Sequence, residues 1–166
     1  MGKLDLIDRK ILTELMNDAS ISVAAIADRV GLSQTPCWKR IQKLEAEGVL
    51  VRRVAIVDPA KIGLGLTAFV AVEASDHSEA WRTTFLDAIA ETPEIMEVHR
   101  MAGEIDYLLR VIVPDMPAFD QFYQRFTARV AMRSVTSRFS METVYVSTAY
   151  PLMDPAAARR HGARGH

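Results

Sequence analysis

The chain has 166 residues, 49% hydrophobic and 25% charged, which suits one ordinary globular domain or two small ones. No apolar run reaches the roughly 20 residues needed to span a bilayer, the opening MGKLDLIDRKIL lacks the apolar centre of a signal peptide, and one cysteine excludes an internal disulfide. A reducing cytoplasm is therefore the expected location, with no membrane partner. The net charge of −1 is unevenly spread: residues 29–53 hold six Lys/Arg against two Asp/Glu, and residues 54–153 hold eight against thirteen. An acidic body with a basic patch near one end predicts a polyanion partner for that end alone.

Residues 1–50 read as three short helices. Leu4, Ile7, Ile11 and Leu15 recur at helical spacing, and NDAS breaks the pattern. Ser22 caps a second helix carrying Val23, Ile26, Ala27 and Val30, which Gly31 stops. Ser33 caps a third helix with Pro36 in its first turn, where a missing N–H costs little, and Gly48 ends it. Two helices joined by a tight glycine-containing turn form a helix-turn-helix, which presents its second member to the DNA major groove. Residues 51–65 follow as a linker, with VLVRRVAIVDP read as a strand and KIGLGL as a hinge.

Residues 66–150 change rhythm. LTAFVAVEA (66–74) reads as a strand, and Trp81, Phe85 and Ile89 mark a helix face. IMEVHRM (95–101) and DYLLRVIV (106–113) are strands joined by a short turn. Phe119, Phe122, Tyr123, Phe126 and Val130 mark a second helix, and RFSMETVYVST (138–148) is read as the last strand. The order βαββαβ is the ferredoxin-like unit, so the fold class is α+β. Its helix-free sheet face needs cover, and a second copy of itself supplies it, which predicts a homodimer. Residues 151–166 have no apolar periodicity and are expected to be disordered.

On the third helix Cys37, Ile41 and Leu44 form one stripe, so Cys37 is read as packing: no His or second Cys lies in residues 1–76 to make a metal site or a nucleophile–base pair. The opposite stripe carries Gln34, Thr35, Trp38, Lys39, Gln42 and Lys43, beginning beside Ser33. Glutamine suits the adenine edge, lysine suits guanine acceptors or phosphate, and Thr35 suits a phosphate or a thymine methyl. Trp38 either stacks on the sugar–phosphate backbone or packs on the second helix. Arg40 either bridges to an acid on the first helix or reaches phosphate. Of Arg52 and Arg53, on opposite sides of their segment, one faces DNA, and Arg52 is assigned that role.

The segments LDLIDRKIL, GLS, KRIQKLEAEGV and DPAKIG, followed by MAGEIDYLLRV, resemble the Lrp/AsnC family of bacterial regulators over about residues 3–148. Within it, TPCWKRIQKLE and IGLGLTAFV are most similar to the cysteine-responsive branch that controls a cysteine desulfidase. The resemblance implies a transcriptional regulator, not an enzyme, that binds double-stranded DNA. It implies a homodimer assembling to a tetramer or octamer, with a small amino acid, cysteine first, binding where dimers meet. It assigns the effector to the turn after the second strand: Met101, Gly103, Glu104, Asp106 and Tyr107, with Ser137 and Ser140 from the last strand. Gly103 would free backbone N–H groups for a carboxylate, and Asp106 or Glu104 would pair with an ammonium group. Ile105 stands where the family usually has an aromatic residue. No cofactor or metal is expected, since His77, His99, His161 and His166 show no ligand spacing. The remaining alternatives are an effector-blind architectural protein that wraps DNA and a small enzyme with a DNA-binding appendage.

Overall fold

The computed structural model describes residues 4–152, which divide into two compact units. One unit runs to Ile56 and takes up the chain again from Tyr145; the other spans Val57–Val144. Among the described residues no helix is long and apolar enough to cross a membrane.

The first unit holds α1 (Leu6–Asn17), α2 (Val23–Val30) and α3 (Gln34–Ala46). The start of α1 is closed by a reciprocal capping box. The Asp5 carboxylate accepts from the Asp8 N–H at 2.8 Å, and the Asp8 carboxylate accepts from the Asp5 N–H at 3.3 Å. The Ser22 hydroxyl accepts from the Ala25 N–H at 3.2 Å and starts α2. Gly31, at φ 76°, ends it in the left-handed conformation that only glycine adopts without cost. The apolar stripes meet in one core of Ile11, Leu12, Leu15, Ile26, Val30, Cys37, Ile41 and Leu44, each at most 5% exposed. Full burial of each large aliphatic side chain stabilises the unit by about 1.5–3 kcal/mol. Cys37 is wholly inside this core, and burial raises its thiol pKa, so it stays an uncharged packing group.

The returning segment also belongs to this unit. The Thr148 hydroxyl donates to the Met16 carbonyl at 2.7 Å, Arg9 donates to the Leu152 carbonyl at 3.2 Å, and Leu152 packs against the core. Residue 152 is thus docked on α1, whereas residues 153–166 of the expected disordered tail lie outside the described residues.

The second unit begins with a 3₁₀ turn at Pro59–Ile62, capped by Asp58. It continues as β1 (Leu66–Ala74), α4 (Glu79–Ala90), β2 (Ile95–Arg100), β3 (Tyr107–Val113), α5 (Met116–Arg129) and β4 (Met132–Phe139). The sheet order is β2-β3-β1-β4, with every neighbouring pair antiparallel. This is the ferredoxin-like arrangement. Ala68, Val70, Val72, Leu109, Val111 and Val113 face the helices and form one core with Phe85, Phe122 and Phe126. The alternate positions Phe69, Leu108 and Ile112 lie on the helix-free face, where Arg110 and Glu97 pair at 2.5 Å.

Two expected strands are corrected. The last strand is Met132–Phe139 rather than 138–148: the chain enters the sheet just after buried Val130 and reaches the end of β1 by Ser140, whose N–H donates to the Thr67 carbonyl. The more strand-like run VYV at 144–146 lies past the end of β1 and is exposed. Residues 51–58 form no strand either: they take part in none of the described strand pairings, and Val51, Val54, Ile56 and Val57 are exposed. High β-propensity in both segments does not make a strand without a neighbouring ladder.

Candidate nucleic-acid interface and ligand cleft

The buried stripe of α3 fixes which side chains point outward. With Cys37, Ile41 and Leu44 packed inward, Gln34, Thr35, Trp38, Lys39, Gln42 and Lys43 are all exposed. Ser33 occupies the N-cap position, but its hydroxyl makes no capping bond. That leaves the hydroxyl and the first N–H groups of α3 available to an anion. Trp38 is 51% exposed and, with Val23, Gln34 and Thr35, lines a shallow cleft.

The cations separate into two sets. Arg40 turns inward to α1, 2.6 Å from Asp5 and 2.7 Å from Asp8, so it takes the bridging alternative, and both acids raise its pKa. Arg53 pairs with Glu45 at 2.9 Å, and Lys43 lies 3.8 Å from Glu47. Gln42 donates to Glu45 at 3.0 Å. Lys39 and the exposed Arg52 make no ion pair among the described residues. Lys39 and the weakly held Lys43 are the cations that the outward face of α3 offers to phosphate or a base edge.

In the second unit the turn between β2 and β3 is organised by Asp106. The Met101 N–H donates to the Asp106 carbonyl at 2.8 Å, and the Asp106 N–H donates to the Val72 carbonyl at 2.9 Å. The Asp106 carboxylate accepts from the Ala74 N–H at 2.8 Å and lies 3.8 Å from His77 Nδ1. Gly103 sits at φ 125°, a backbone that side-chain-bearing residues rarely adopt. Met101, Gly103 and Glu104 stand exposed on the turn.

Beside this turn lies a cleft of about 270 Å³. Tyr107 and Trp81 form its apolar side, with their rings 6.0 Å apart and the Trp81 indole N–H bonded to the Ala131 carbonyl. Arg82 and Arg100 line it, as do Glu79 and Asp106. Ser78 caps α4 by accepting from the Trp81 N–H at 3.1 Å, and the first turn of that helix lines the cleft. Neither arginine makes an ion pair among the described residues, so the cleft is lined by two guanidinium groups and two carboxylates, with His77 beside Asp106.

Of the seven expected effector residues, Asp106 and Tyr107 line this cleft, and Met101, Gly103 and Glu104 stand on the adjoining turn. Ser137 and Ser140 do not join them within the chain. Ser137 pairs with Val70 and Ser140 with Thr67, so Ser140 lies about 24 Å along β1 from the Asp106 contact at Ala74. The earlier register of β4 is the cause, and β1 stands between β4 and β3. His77, Glu79, Arg82 and Arg100 escaped the sequence reading. One signal was present, the Ser-Glu start of a helix directly after a strand; the pairing that sets Arg100 opposite Tyr107 comes from the sheet register. No group of three or more His, Cys, Asp or Glu able to hold a metal occurs among the described residues.

The pattern of an AsnC-type helix-turn-helix domain matches residues 4–45, and that of the Lrp/AsnC ligand binding domain matches residues 67–150. The chain is 47% identical over 150 residues to the DNA-binding transcriptional activator DecR of Escherichia coli, covering 90% of this chain and 99% of that one. It is 44% identical over 150 residues to the glutamate uptake regulatory protein of Zymomonas mobilis, covering 90% and 92%. Among solved structures, an AsnC family transcriptional regulator from Agrobacterium tumefaciens superposes with a TM-score of 0.86 at 48% identity, covering 90% of this chain and 97% of that one. A transcriptional regulator of Neisseria meningitidis in complex with L-methionine does so with a TM-score of 0.86 at 30% identity, with the same coverage. The helix-turn-helix unit, the ferredoxin-like unit and these likenesses over nine-tenths of the chain agree: it belongs to the Lrp/AsnC family of DNA-binding transcriptional regulators.

Proposed function

We propose that this regulator reads double-stranded DNA through the outward face of α3 and that a small amino acid, held at the cleft beside the Asp106 turn, changes its DNA binding or assembly. The observation that carries the effector reading is the balanced charge of the cleft. Arg82 and Arg100 suit an α-carboxylate, while Asp106 and Glu79 suit an α-ammonium. A net-neutral zwitterion satisfies such a set, whereas a simple anion or cation leaves half of it unpaired. The methionine complex of the Neisseria relative supports an amino acid in this class of domain. Cysteine is the first candidate on the resemblance of TPCWKRIQKLE and IGLGLTAFV, and no side chain in the cleft selects it.

The chain functions as a homo-oligomer in this reading. The helix-free sheet face exposes Phe69, and Val54, Ile56, Val144 and Val146 are each at least 60% exposed, except Phe69 at 38%. A second copy gives these apolar groups cover.

The test is thermal unfolding against each of the twenty amino acids. A ligand that binds the native state at 100 times its Kd stabilises it by about 2.7 kcal/mol, which raises Tm by several degrees. A shift with one amino acid, abolished by Arg100→Ala, supports the reading. No shift with any of them in protein that still binds DNA transfers the assignment to an effector-independent architectural role.

A further inference from the structure

One patch on the reading side of the three-helix unit is apolar. Val23 opens α2, Gln34, Thr35 and Trp38 occupy the first turns of α3, and the four line a shallow cleft of about 270 Å³. Trp38 leaves half its surface in water, at 51% exposure, and so does not serve as a core residue. The outward residues that follow it on α3, Lys39, Gln42 and Lys43, are polar or cationic. An apolar notch inside such a surface has a single chemical counterpart in the major groove. The base edges there present amino, carbonyl and ring-nitrogen groups, and one apolar group, the C5 methyl of thymine.

We infer that Val23, Thr35 and Trp38 form a notch that receives a thymine methyl, with Gln34 on its polar rim set to bond a neighbouring base edge. Trp38 is then a wall of a base-reading site, not a backbone stacker or a packing group. The inference rests on the assignment of α3 as the reading helix and adds the base feature that it reads. The Thr35 methyl contributes to the notch, and its hydroxyl can still bond phosphate. The methyl contact thus adds a base-specific contribution that is separable from the electrostatic grip of Lys39 and Lys43.

The experiment starts from a duplex that the full-length protein itself selects from a random library. Each thymidine is then replaced singly by deoxyuridine, which removes one methyl and leaves pairing intact. The expected result is one thymine per half-site at which the replacement weakens binding about four-fold, the fold-change equivalent of burying one methyl. Thr35→Ser, which keeps the hydroxyl, and Val23→Thr, which keeps the shape, should each shrink that penalty toward one-fold without altering the salt dependence. Selective binding in which every replacement is neutral overturns the methyl notch and leaves α3 as the reader. A penalty unmoved by either variant assigns the methyl to other side chains and also overturns it. Failure to select any sequence, with binding indifferent to Lys39→Ala and Lys43→Ala together, removes the reading helix and the notch with it.

Discussion

The Arg40 guanidinium lies 2.7 Å from the Asp8 carboxylate, and the two differ sharply in setting: Asp8 is 7% exposed and Arg40 34%. A cation on α3 is thereby anchored to the start of α1, where Asp8 also closes the capping box with Asp5. One carboxylate fixes both a helix start and the seat of α3.

Arg40→Ala should therefore destabilise the first unit by about 1–3 kcal/mol, since it leaves a largely buried carboxylate without its cation. Solvent screening at the guanidinium, about one-third exposed, holds the effect below that of a fully buried pair. Urea unfolding followed by helix content measures it. If Arg40 also touched phosphate, the slope of DNA affinity against salt would fall by about one in the same variant. The inward geometry predicts an unchanged slope.

Lys39→Ala with Lys43→Ala should do the reverse. Both side chains are exposed on the outward face, so folding stability should change by less than about 0.5 kcal/mol. DNA affinity should drop, and the salt slope should flatten by about two. Binding isotherms at several salt concentrations, with sedimentation to confirm intact assembly, decide it.

Asp106 has two duties that substitutions separate. Asp106→Asn keeps an acceptor for the Ala74 N–H and removes the charge facing the cleft, so it should abolish the amino-acid response with little change in Tm. Asp106→Ala also loses the bond to Ala74 and should cost about a further 1–2 kcal/mol. Basal DNA binding should survive in the asparagine variant; a full amino-acid response there would reduce Asp106 to a turn residue.

Acid should weaken the first unit through Asp5. The backbone N–H of Asp8, foremost, and the guanidinium of Arg40 favour its ionised form and depress its pKa. The stability it contributes is thus fully present above the unfolded value, about 3.9, and is lost as pH falls through the lower folded value. Urea midpoints measured down from pH 5 should show a steeper decline in the natural chain than in Asp5→Asn below about pH 4.

Much of the architecture was readable because its causes are local. Ser22, Gly31 and Gly48 punctuate the helices within a few residues of the apolar stripes they bound. Cys37, Ile41 and Leu44 announce their burial by spacing alone, and the stripe opposite them is the exposed face of α3. LTAFVAVEA carries enough apolar residues on both faces to mark β1 to the residue.

What the tertiary structure decided depends on partners distant in the chain. VYV at 144–146 reads more strongly as a strand than MRSVTSRF, yet β1 selects the latter, because a strand is stabilised by its ladder and the bonds along β1 are filled by Ser140. That register carries Ser137 and Ser140 away from the Asp106 turn. Arg40 had two plausible partners in sequence, and only the packing of α1 on α3 chose between them. The cleft gathers Arg82 from a helix and Arg100 and Asp106 from either side of a turn, positions that neither period nor motif relates. Periodicity and capping act over a turn of helix and are written in the chain; register and charge convergence arise only when separate elements pack.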